Sequence, residues 1–111
     1  MKEYRTLAEF WPFYLSEHSN IWNRRLHFIG STCALLSIFS VFYFQSALFL
    51  LLAPVSGYGF AWFGHFIIEK NRPATFKYPV KSFVSDWIMY FYTWTGKLDS
   101  ELQKAGVELK K

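Results

Sequence analysis

The chain has 111 residues, of which 52% are apolar and 23% aromatic, and its formal charge is only +4. That length limits it to a single domain, and no basic run is long enough to engage nucleic acid. Its one cysteine, Cys33, excludes a disulfide framework or a thiolate metal cluster within one chain, and inside an apolar run it reads as a small buried hydrophobe.

The aromatic excess (13 Phe, 7 Tyr and 5 Trp) calls for a boundary between water and an apolar medium, or for a large apolar ligand. Residues 1–20 carry acids and lack an apolar core of the signal-peptide kind, so they read as an N-terminal interfacial segment centred on Phe10 to Leu15. Ser19 and Asn20 are good helix N-caps, which predicts a break there and a new helix from about residue 21.

Two runs without Asp, Glu, Lys or Arg follow: Leu26 to Phe44, 19 residues, and Ser46 to Ile68, 23 residues. Each matches the thickness of a hydrocarbon core of roughly 30 Å. The expected fold is therefore all-α, an integral membrane hairpin with helices over 21–44 and 46–69 joined at Gln45-Ser46. Arg24 and Arg25 precede the first run, while Lys70, Arg72, Lys77 and Lys81 follow the second with no acid between them. Positive charge thus gathers at the open end, which the positive-inside rule places in the cytoplasm. The membrane would be the inner membrane of a bacterium or the endoplasmic reticulum of a eukaryote. Pro54, Gly57, Gly59 and Gly64 in the second helix read first as packing residues.

Residues 79–95 form an aromatic segment whose apolar stretch, Phe83 to Trp94, is only 12 residues long and contains Asp86. It reads as an interfacial or re-entrant helix, with a third membrane helix as the alternative, and Pro79 suits its first turn. Residues 97–111 make an amphipathic tail with Leu98, Leu102, Ala105 and Leu109 on one stripe.

The hairpin carries a geometric expectation for the histidines. His27 lies 18 residues before Gln45 and His65 lies 20 after it, so at about 1.5 Å per residue both imidazoles end near the same depth at the open mouth. Glu69 follows His65 by four and shares its face on a regular helix. On one straight helix His18 would stand about 13 Å from His27 and on the opposite side. The break at Ser19-Asn20 is what would let it fold back.

Imidazole nitrogens, with or without a carboxylate, suit Fe(II), Zn(II) or a similar ion, and ionisable groups at membrane depth are costly enough to suggest function. Arg24 and Arg25 have two readings, topology signals or a guanidinium fork for a substrate carboxylate. Asp86 either pairs with Lys81 or orients a ligand histidine.

The spacings Tyr14-x3-His18-x4-Asn23-x3-His27-x2-Gly30 and Gly64-His65-x3-Glu69-x3-Pro73-Ala74 resemble the signature of the membrane-bound 2-hydroxy fatty acid dioxygenases. The similarity covers roughly residues 10–95, and the second element is the more specific. The resemblance implies an Fe(II)-dependent enzyme that shortens a long-chain 2-hydroxy fatty acid by one carbon with molecular oxygen. It maps the metal ligands onto His18, His27 and His65, and an acidic position of open role onto Glu69. Arg24 and Arg25 would then hold the acid head, with the alkyl tail along the apolar helices. The chain departs from the fungal members in being short and in reading FIGST after His27, where they usually carry a proline. The competing reading is a non-catalytic small membrane protein that binds lipid or a partner, with a homo-oligomer open under either.

Overall fold

The computed structural model describes residues 4–107. Among them the architecture is all-α, with helices α1 (Leu7–Ser16), α2 (Ile21–Phe44), α3 (Phe49–Phe63), α4 (Pro79–Thr95) and α5 (Leu98–Lys104). A π-helical turn, Gly64–Glu69, continues α3, and a 3-10 turn, Ala74–Phe76, precedes α4.

Local chemistry explains the breaks. Thr6 caps α1 by accepting from the Glu9 amide at 3.2 Å. Asn20 caps α2 by accepting from the Trp22 amide at 2.8 Å, so the chain bends at residues 17–20 as the Ser-Asn pair predicts. Between α2 and α3, Gln45 takes the left-handed conformation (φ 52°) that reverses the chain. Pro79 occupies the first turn of α4, where its missing N–H costs nothing.

α2 and α3 pack antiparallel. They come close at Gly30, where an added Cβ would stand 3.0 Å from Phe60 Cβ and 3.1 Å from the carbonyl oxygens of Ser56 and Gly57. Both helices, the second taken through Glu69, are long and apolar enough to cross a bilayer. Only 17% and 22% of their most apolar windows are buried, against the nearly complete burial of a soluble core helix. The outward faces are instead large and apolar, with Phe42 76% and Leu51 66% exposed. A patch of that size needs a cover, and a bilayer supplies one.

The hydrophobic core lies elsewhere. Phe10, Tyr14 and Leu15 of α1 meet Met89 of α4 and Leu98 and Leu102 of α5, with Ala74 beside them. The Trp11 indole donates to Glu101 at 3.0 Å and ties α1 to α5. The apolar face of α1 packs into this core, with Phe10 and Leu15 fully buried. α4 is 17 residues long because Pro79, Val80, Lys81 and Ser82 before the 12-residue apolar stretch, and Thr95 after it, belong to the helix. It rests on α2 through Phe28 stacked on Tyr90 and a Thr32–Tyr90 hydroxyl hydrogen bond of 2.9 Å. In the tail, Leu98 and Leu102 are buried, and Leu109 lies outside the described residues.

Candidate metal centre

Three elements deliver one imidazole each to the same point. His18 comes from the bend after α1, His27 from the second turn of α2, and His65 from the π-helical turn after α3. All three are buried, and one ring nitrogen of each lies within 4.8 Å of the others. The ring centroids stand 4.4, 4.5 and 5.0 Å apart, with the planes 75° to 87° from one another.

The outer edges of the rings are engaged by acceptors. His18 Nδ1 donates to the Tyr14 carbonyl at 2.7 Å. Asn71 donates its amide Nδ2 to the Glu17 carbonyl at 3.1 Å, which turns its Oδ1 toward His65 Nδ1 at 2.7 Å. That orientation makes His65 Nδ1 the donor as well. His27 Nδ1 faces Asp86 Oδ1 at 3.9 Å, and Asp86 in turn accepts from the Tyr14 hydroxyl. With protons held on the outer nitrogens, the inner Nε2 atoms of His18 and His65 carry free lone pairs.

His18 Nε2 and His27 Nε2 stand 3.1 Å apart. Without a cation, one proton must lie between them, on His27. With a cation, that proton belongs on His27 Nδ1, where Asp86 faces it. Burial, and after it the neighbouring His27 and His65, hold the His18 pKa well below the usual histidine value, so His18 is neutral and its lone pair is available. Burial also pushes the Asp86 carboxyl up to about 7, against the downward pull of the Tyr14 hydrogen bond. The same burial, with Asp86 alongside, raises the Tyr14 phenol well above its ordinary value. Three converging imidazoles, two with their outer protons held by acceptors and the third with Asp86 facing its outer nitrogen, fit a divalent ion of the Fe(II) or Zn(II) kind.

Glu69 does not join the three nitrogens. Its carboxylate accepts from the Asn20 backbone N–H and from Ser19 Oγ, the latter at 3.2 Å, at the N-terminus of α2. There it meets orphan donors and the positive end of the helix dipole. The cause is the π-helical turn: a wider turn, ended by left-handed Lys70 (φ 59°), aims Glu69 away from the His65 ring. Glu69 also acts on Glu17, whose carboxyl is raised by partial burial and by that second negative charge.

Arg24 and Arg25 are likewise placed apart from the imidazoles. Arg24 Nη1 donates to the His18 carbonyl at 2.7 Å and so clamps the bend that presents His18. Arg25 stacks over the Trp22 ring at 4.7 Å. Both line a separate open cavity of about 420 Å³ with Tyr92, Leu98 and Asp99. Asp86 makes no ion pair with Lys81 and turns to His27 instead.

Residues that spacing alone does not assign complete the site. Asn71 sets the His65 tautomer, yet it lies six residues on, a distance no regular helix would bring round. Asn23 is fully exposure-free at 0%, with neither amide atom partnered, and wedges against Gly64, where a Cβ would fall 1.9 Å from its Oδ1. Gly64 therefore has to be glycine for the His65 turn to dock on α2.

A family model described as 2-hydroxy-palmitic acid dioxygenase Mpo1-like matches residues 4–98, and the chain belongs to this Mpo1-like family. No curated protein and no solved structure matches it.

Proposed function

We propose that this member of the family is a membrane-embedded, Fe(II)-dependent dioxygenase that shortens a long-chain 2-hydroxy fatty acid by one carbon, using molecular oxygen. The observation that carries the reading is the set of three buried imidazoles whose outer nitrogens face Tyr14, Asn71 and Asp86 while the inner ones converge. The family's description, 2-hydroxy-palmitic acid dioxygenase, supports the substrate class and the reaction.

His18, His27 and His65 would hold the ion, which when bound supplies the redox chemistry with oxygen and a chelation point for a hydroxy acid. The chain's own residues do the rest. The Tyr14 carbonyl and Asn71 keep protons on the outer nitrogens of His18 and His65. Asp86 offers the His27 ring a place for its proton. Arg24 and Glu69 fix the bend at residues 17–20, and through it the position of His18. The exposed apolar faces of α2 and α3 support membrane insertion, which puts the site within reach of a lipid substrate.

The test uses full-length protein purified anaerobically in detergent, reconstituted with Fe(II) and given 2-hydroxypalmitate and air. Stoichiometric iron, oxygen uptake and formation of pentadecanoate support the reading. Iron-loaded protein that leaves the acid unchanged overturns it in favour of a non-catalytic lipid-binding hairpin.

A further inference from the structure

A second cavity, of about 210 Å³, lies between α2, α3 and α4. It begins at His27 and Asp86, the first a member of the histidine cluster and the second its neighbour. From there it follows one face of α2 through Ala34 to Ile38, opposite Gly57 and Ala53 of α3. Its wall is polar at the His27 end and apolar along the rest, and the close approach at Gly30 holds the two helices together beside it.

We propose that this groove takes the alkyl tail of the substrate, head toward His27 and methyl end toward Ile38, and that Ala34 and Ala53 set the chain length accepted. The inference rests on the reading of the chain as a 2-hydroxy fatty acid dioxygenase and adds where the tail lies.

Two arguments single out this occupant. The first is continuity: an amphiphile whose head reaches the histidines has this groove directly behind His27, whereas the larger cavity at Arg24 and Arg25 touches none of the three imidazoles. The second is length. His27 to Ile38 is 11 residues on one helix, about 16 Å at a rise of about 1.5 Å per residue. An extended chain of single bonds advances roughly 1.2 Å per bond, so the groove matches roughly thirteen bonds of alkyl chain. Small side chains make the room: a leucine at Ala34 would plug the groove midway, and one at Ala53 near its far end. Where Gly57 faces Ala34, a Cβ would meet Ala34 Cβ at an ordinary 3.8 Å, so the floor is narrow without being strained.

The experiment measures binding and turnover separately on the full chain in detergent. A 2-hydroxypalmitate analogue with a photoreactive diazirine near its methyl end is crosslinked to wild type, Ala34→Leu, Ala53→Leu and the outward-facing Leu36→Ala. Unlabelled 2-hydroxy acids of eight, twelve and sixteen carbons compete for the label. Wild type should be labelled near Ile38 and Ala53. Ala34→Leu should lose at least about tenfold in affinity for the sixteen-carbon acid while holding the eight-carbon acid within about twofold. Ala53→Leu should show a smaller loss confined to the longest acid, and Leu36→Ala none.

Bound metal is measured on each variant, so a variant that fails to fold is recognised and the milder Ala53→Leu decides. Equal losses at every length, or label that excess 2-hydroxypalmitate does not displace from the groove, would overturn the proposal, as would label confined to the outer lipid-facing surface. Length-dependent binding without any turnover would leave the groove standing and remove the dioxygenase reading. Turnover whose length preference ignores both leucines would do the reverse.

Discussion

The two ends of the α2–α3 hairpin obey different rules. Around the Gln45 turn, side chains such as Phe42, Tyr43, Leu48 and Leu51 are largely exposed, and the requirement on them is only to be apolar. At the open mouth the same two helices bury Asn23, His27 and His65; ring nitrogens there face Asn71, Asp86 and His18, while the Asn23 amide is wedged against Gly64 without a partner. A lipid-facing surface is satisfied by composition, whereas a buried polar cluster is satisfied only by geometry. Substitutions should therefore cost little at the turn and much at the mouth.

The largest effect is expected at a cluster histidine. His65→Ala removes one nitrogen of three, and metal analysis after reconstitution should find iron near background, with activity lost alongside. Full iron occupancy in that variant would mean that the ion is held elsewhere.

Next comes Gly64→Ala. Its new Cβ would fall 1.9 Å from Oδ1 and 2.9 Å from Cγ of the fully buried Asn23. The helices must shift, at a cost of about 1–3 kcal/mol, visible as a lower midpoint in a thermal melt followed by circular dichroism in detergent. An unchanged melt would place Asn23 differently.

Asn71→Ala and Asp86→Asn strike the groups that face the outer nitrogens of His65 and His27. Iron affinity should fall by roughly 10- to 100-fold with the helical spectrum intact, as read by competition with a chelator. Loss below about twofold would reduce both residues to bystanders.

Glu69→Gln is milder: the amide oxygen still accepts from the Asn20 N–H, while an NH2 replaces the oxygen that accepted from Ser19 Oγ, whose hydroxyl can turn to accept instead. About 0.3–1 kcal/mol of stability should go, with iron stoichiometry kept. Loss of iron in Glu69→Gln would bring Glu69 back into the metal's own ligand set. At the other end of the molecule, Leu36→Ala should stay within about 0.5 kcal/mol of wild type in the same melt.

The sequence makes the apolar end easy to read and the polar end harder. Charge-free runs mark both long helices, because membrane length is a simple count. The Ser19-Asn20 cap announces the bend, and counting from Gln45 puts His27 and His65 at one depth. The aim of Glu69 is hidden, since four-residue spacing assumes a regular helix and nothing in GHFIIE advertises a π-helical turn. Asn71 is hidden for the same reason. The two readings of the arginines, topology signal or carboxylate fork, are not separated by sequence, which does not tell that Arg24 reaches the His18 carbonyl or that both side chains line a cavity with α4 and α5. The core of α1 with α4 and α5 joins residues some 80 positions apart, beyond the reach of any local pattern.

The central claim is that His18, His27 and His65 share one metal ion. The most direct measurement is the iron K-edge X-ray absorption of full-length protein loaded with Fe(II) under anaerobic conditions. The account predicts a scattering shell of about three imidazoles, falling to two or fewer in any iron that His65→Ala retains. A spectrum with oxygen ligands alone, or one unchanged by that substitution, would contradict it.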